Sequence, residues 1–288
     1  MLCIYRFNMD NNSSSCIYFD VSIPKDNVSL TRAFGILLIM LSMILSIVAA
    51  IGTWKLNKAC SSRTTKLLCY QFMVFSLLTV DIILFYAYPY INEDIRHFFD
   101  SFHVPSILFF VLLASCNQVV IAIDRYLLIR RGTHYRHWKN TFVGINVSVT
   151  ISCFCISLYS GYIVFKKSCH GVSLILIMQG CVIIACSILS VCYNVSMILF
   201  LKKNLTLLEF QKSTLKRKIA LTMITITIVT VLCEVVHLSF SYALSISSST
   251  SFKVYSCFCG LIMTSLFKCI FYPFIYIARN YDIARNVF

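Results

Sequence analysis

Seven apolar runs, each close to the length that crosses a bilayer, leave this chain few ways to fold. A hydrocarbon core about 30 Å thick requires about 20 apolar residues in a helix rising about 1.5 Å per residue. Runs of that kind are predicted over 33–54, 67–90, 103–130, 141–165, 173–201, 218–247 and 254–277. Backbone polar groups left open in hydrocarbon cost several kcal/mol each, so each run is expected to close its hydrogen bonds internally as a helix. No Gly/Pro/Ser-rich linker and no long repeat divides them. The expectation is one domain, 1–288, built as an all-α seven-transmembrane helix bundle.

Composition agrees with a lipid environment. Hydrophobic residues make up 59% and charged residues 12% of the 288 positions, against about 45–50% and about 25% in soluble domains. The formal charge of +14 would suit a nucleic-acid partner, but its distribution accounts for it otherwise. Sixteen Lys and Arg fall in the first, third and fifth connections and the C-terminal piece: Lys55, Lys58, Arg63, Lys66; Arg130, Arg131, Arg136, Lys139; Lys202, Lys203, Lys212, Lys216, Arg217, Lys218; Arg279 and Arg285. The opposite side has seven. Basic residues concentrate in cytoplasmic loops, which predicts an outside N-terminus and no nucleic-acid binding.

That N-terminus, 1–32, has no apolar run long enough for a signal peptide, so the first helix is expected to direct insertion. It carries sequons at Asn11, Asn12 and Asn27, usable if this end faces the lumen. Of the fifteen cysteines, Cys116, Cys153, Cys155, Cys181, Cys186, Cys192, Cys233 and Cys269 lie inside apolar runs, where a thiol behaves as a small hydrophobe. No Cys/His spacing fits zinc, so no metal is expected.

The third run reads Ala114-Ser115-Cys116-Asn117-Gln118-Val119-Val120-Ile121-Ala122-Ile123-Asp124-Arg125-Tyr126-Leu127-Leu128-Ile129. Adjacent opposite charges ending an apolar helix are costly and mark a working part. Near the other end of the chain stands Tyr272-Pro273-Phe274-Ile275-Tyr276. Together these resemble the Asp-Arg-Tyr and Asn-Pro-x-x-Tyr motifs of rhodopsin-like G-protein-coupled receptors. The resemblance covers nearly the whole chain, with specific motifs in the third and seventh helices.

The resemblance implies a set of switch residues. Asp124 would hold Arg125 at rest, and Arg125 would turn to a heterotrimeric G protein when the sixth helix swings outward. Pro273 would hinge the seventh helix, since it removes a backbone donor. Tyr276 would swing toward Tyr193, whose other reading is a core or interfacial aromatic. Tyr126 completes the triplet. The segment 278–288, with Ile277, Tyr281, Ala284 and Phe288 at helical spacing, fits a short amphipathic helix on the inner leaflet. Its wording, Pro-x-Ile-Tyr-x-x-Arg-Asn-x-Asp-Ile, resembles olfactory-type receptors.

Departures from the family are equally specific. Cys233-Glu234-Val235-Val236 stands where the family has Cys-Trp-x-Pro, and the first helix has no internal Asn. Residues 100–108 lack the usual Cys at the outer end of the third helix, a loss shared with melanocortin-type receptors. Cys169 therefore lacks its ordinary partner, and Cys16, Cys257 or Cys259 are open alternatives on the oxidising side.

Intramembrane ionisable groups should face the bundle interior. Here they are Asp81, Glu234, His237 and Lys268. Asp81 resembles the family's sodium-binding aspartate, but its supporting residues correspond to Ala114 and to Lys268 or Tyr272. Lys268 is expected to take the place of the ion. Counting along the helices puts Asp81 about 6 Å and Glu234 about 8 Å from it in depth, making Asp81 the first choice of partner and Glu234 the second. Outward snorkelling of Lys268 is the other reading. Glu234 and His237 are candidates for lining a ligand pocket, and His237 also reads as a helix–helix hydrogen bonder.

The sequence therefore predicts a plasma-membrane, multi-pass receptor with an extracellular ligand and a G-protein partner. It predicts no enzyme and no cofactor. A transporter or channel, and a signalling-poor decoy receptor of the same fold, are the alternatives.

Overall fold

A computed structural model describes the backbone over 3–5, 16–18, 28–60, 63–87, 93–131, 139–165, 169–204, 221–222, 224–236, 239 and 251–279. Among the described residues there are seven helices and one two-stranded ribbon. The helices are α1 (Val28–Cys60), α2 (Arg63–Ala87), α3 (Glu93–Arg131), α4 (Lys139–Phe165), α5 (Cys169–Asn204), α6 (Ile224–Val236) and α7 (Ser251–Arg279). Five of them contain stretches long and apolar enough to cross a membrane: Gly35–Lys58, Thr64–Leu84, Pro105–Arg130, Gly144–Tyr162 and Gly180–Leu201. The apolar parts described in α6 and α7, Ile224–Val236 and Met263–Ala278, are shorter.

Helices α1, α3, α5 and α7 overrun at both ends the apolar runs that predict them. The largest difference is at α3, which begins at Glu93 rather than near 103 and carries Pro105 inside it. Apolar length marks where a helix meets lipid, whereas backbone hydrogen bonding continues into polar sequence beyond it. The ribbon was not expected from the sequence. Its strands, β1 (Cys3–Tyr5) and β2 (Cys16–Tyr18), pair antiparallel with Ile4 opposite Ile17. The amphipathic segment expected at 278–288 lies beyond the described residues after Arg279.

Burial explains which helices touch. On α1 the inward positions Leu38, Ser42, Ser46, Ala49 and Thr53 repeat at helical spacing, while Leu37, Ile44, Ile51 and Trp54 are exposed. Small inward residues let helix backbones approach where no hydrophobic force draws them together. The approach is closed by polar contacts: Ser42 Oγ lies 2.9 Å from Thr79 Oγ1 of α2, and Ser46 donates to the Cys269 carbonyl of α7 at 3.2 Å. Thus α1 sits between α2 and α7.

Helix α3 is the hub, packed against α2, α4 and α5. Ser157 of α4 donates to the Pro105 carbonyl at 2.5 Å, and Tyr70 of α2 meets Thr150 of α4 at 3.1 Å. The core cluster runs through Phe72, Phe75, Ile82, Leu112, Leu113, Met197 and Leu266. By contrast α4 and α5 expose Ile151, Phe154, Leu158, Tyr159, Ile188, Leu189 and Leu199. An apolar surface of that extent belongs in lipid rather than water. The fold is that of a helical, membrane-embedded protein.

Candidate functional site

A band of polar side chains lies inside the bundle, and it has two parts. The first gathers at the Arg131 end of α3. Asp124 is fully buried and Arg125 is nearly so. Thr64, in the first turn of α2, donates to Asp124 Oδ2 at 2.8 Å. The Arg125 guanidinium lies over the ring of Tyr276, 5.2 Å from its centroid. Tyr276 itself is buried and packs edge-on against Phe72 of α2 at 5.5 Å. A guanidinium on an aromatic face retains favourable electrostatics where water is excluded.

Tyr126 and Tyr193 join this end. Their rings lie 5.6 Å apart, linking α3 to α5, and Arg130 donates to the Tyr126 hydroxyl at 2.5 Å. The resemblance implies a swing of Tyr276 toward Tyr193; in this structure Tyr193 packs on Tyr126, while Tyr276 is engaged by Phe72 and Arg125. Pro273 is buried inside α7, three residues before Tyr276.

The second part lies between α6, α7 and α3. Lys268 Nζ of α7 forms an ion pair with Glu234 Oε1 of α6. This is the second of the two acids expected from depth. Depth alone ranks partners by height and carries no information on which helix faces which, and α6 and α7 are the neighbours here. Asp81 is buried on α2. One turn along from the ion pair, the Tyr272 hydroxyl meets Gln118 Nε2 at 2.5 Å and bonds with the Thr230 hydroxyl. A further amide pair, Asn117 Nδ2 donating to Gln71 Oε1 at 2.6 Å, ties α3 to α2, and Gln71 in turn donates to the Ala114 carbonyl at 3.3 Å.

Thr64, Gln71, Asn117, Gln118 and Thr230 were not singled out in the sequence. A signal was present for three of them: side-chain amides inside apolar runs need a partner in lipid, so Gln71, Asn117 and Gln118 had to find one. Nothing in the sequence marked Thr64 or Thr230, because a threonine in a membrane helix can satisfy itself on the preceding turn.

Several sequence candidates fall elsewhere. His237, Asn11, Asn12 and Asn27 lie outside the described residues, and the side chains of Cys16, Cys169, Cys257 and Cys259 do as well. Cys69, Cys116, Cys153, Cys155, Cys181, Cys186, Cys192, Cys233 and Cys269 are free thiols, with Cys116 and Cys186 sulfurs 3.7 Å apart across α3 and α5. Among the described residues no three His, Cys, Asp or Glu side chains are grouped to hold a metal.

Fold and polar band together define a class: a membrane-embedded helical protein with a buried charge cluster at one end of its central helix. Compared with models of known protein families and with curated proteins, the chain matches none.

Proposed function

We propose that this chain is a divergent rhodopsin-like G-protein-coupled receptor, with all seven helices crossing the plasma membrane and the N-terminus outside. The observation that carries the reading is Arg125 resting on the Tyr276 ring. The Asp-Arg-Tyr triplet and the Pro-x-x-Tyr motif stand far apart in sequence, yet the arginine of one contacts the tyrosine of the other. A receptor needs such a contact, because a charge buried at rest becomes a docking point once its helix neighbours move.

In this reading a ligand acts from the outer side, near the Lys268–Glu234 pair, and a heterotrimeric G protein docks at the Arg125 end. Basic residues in the connections of that end support a cytoplasmic placement. Asn11, Asn12 and Asn27 are then available for glycosylation. The test is G-protein activation in cells expressing the chain, with Arg125→Ala as control. Loss of a signal on that substitution, at unchanged surface expression, supports the reading; a signal equal to wild type refutes it. The Glu234–Lys268 tie between α6 and α7 favours one variant of it, a receptor that binds ligand and signals weakly. That variant is distinguished by surface expression with no activation above an empty-vector control.

A further inference from the structure

The hydrogen bonds around Tyr272 have only one consistent set of directions. Thr230 has a single hydroxyl proton, and it goes to the Ile226 carbonyl of its own helix at 2.7 Å. Thr230 Oγ1 therefore accepts from its other partners. The Gln118 amide has two protons on Nε2; one goes to Thr230 at 2.7 Å and the other to Tyr272 at 2.5 Å. The phenolic proton is left for Thr230. Three side chains from α3, α6 and α7 thus close a ring in which each of these donors is used.

The ring has open volume on both sides. A cavity of about 20 Å³ reaches from it past Ser190 and Asn194 to Tyr276. A second of the same volume reaches past Ser115 and Ser265 to Lys268. Gln118 and Tyr272 line both. Protein interiors are generally close-packed and resist movement, whereas Tyr272 borders two cavities. Its neighbours repeat at single turns: Glu234 and Thr230 are four apart on α6, as are Lys268, Tyr272 and Tyr276 on α7. The ring is therefore one turn from the ion pair and one turn from the residue under Arg125.

We propose that the Gln118–Tyr272–Thr230 ring is a latch that holds α6 against α3, and that its opening couples the Lys268–Glu234 pair to the Arg125 end. Its signalling consequence rests on the receptor reading, while the latch itself is a property of the bundle. Between packed helices such a bond is shielded from bulk water, so a shift of α6 or α7 is what opens it.

The experiment uses the full chain in lipid nanodiscs and reads hydrogen exchange over 224–236 together with the thermal midpoint. Tyr272→Phe removes one oxygen and keeps the ring's bulk; Thr230→Val attacks the same latch from α6 with nearly the same shape. Each is expected to raise exchange over 224–236 by about 3- to 15-fold, the range for interhelical hydrogen bonds in bilayers. The double variant should fall short of the sum of the singles, because both remove the Tyr272–Thr230 bond that closes the ring. Unchanged exchange in both singles, or fully additive losses in the double, overturns the latch. Basal G-protein activation is measured in parallel. Raised exchange with no signal in any variant supports the latch and refutes its link to G-protein activation; a raised basal signal without raised exchange overturns the latch.

Discussion

Lys268 and Glu234 face each other across α7 and α6, with side chains 12% and 7% exposed. Breaking a buried pair from one side leaves a charge with nothing to offset its desolvation, at a cost of about 3–5 kcal/mol, while replacing both partners by apolar groups is often neutral. Lys268→Met alone is therefore expected to lower the thermal midpoint and the folded yield. Lys268→Met/Glu234→Leu should recover most of the loss. A double variant as damaged as the single in a detergent-solubilised melt would remove the pair's structural role.

Sodium should not stabilise this protein. In the receptor reading the positions that would complete a sodium site beside Asp81 are Ala114 and Lys268 or Tyr272, and the Lys268 ammonium is taken up by Glu234. A bound ion raises the midpoint in proportion to its occupancy. Melts in sodium chloride and in choline chloride of equal ionic strength are expected to coincide, and a sodium-specific rise would contradict the substitution of ion by lysine.

Arg125 and Tyr276 separate two properties. In the receptor reading Arg125→Ala removes the docking charge, so signalling is expected to fall to background. Tyr276→Phe keeps the aromatic face under the guanidinium and should leave the resting midpoint within about 0.5 kcal/mol, whereas Tyr276→Leu loses about 0.5–2 kcal/mol of cation–ring attraction. Equal midpoints for the Phe and Leu variants would show that the 5.2 Å contact contributes nothing.

Thr64 holds Asp124 through a bond to a charged acceptor, worth about 1.5–3 kcal/mol when buried. Thr64→Val is expected to destabilise by about 1–2 kcal/mol, reduced because the site is only partly buried, while Thr64→Ser retains the donor and the stability. In the receptor reading Thr64→Val also raises basal activation, since Asp124 loses a restraint. Activation and midpoint that both stay at wild-type values would dismiss the contact.

Helix existence was legible because lipid enforces it: a run such as 33–54 has no other way to satisfy its backbone. The ends were not, since the hydrogen-bond ladder of α3 passes ten residues beyond the apolar stretch that announced it. The Cys-Ile-Tyr strands were also missed, because three-residue strands are too short for a periodicity to register.

By itself, the sequence determined that Asp81, Glu234, Asp124 and Arg125 had to turn inward, because a charge facing lipid costs too much to persist, while Lys268 kept outward snorkelling as its other reading. Tertiary structure alone decided the partners. Lys268 meets Glu234, and Tyr272 meets Gln118 and Thr230, because α6 and α7 run side by side with these turns in register. Helical spacing fixes which residues share a face of one helix, whereas the rotation of each helix against its neighbours is set by packing of the whole bundle.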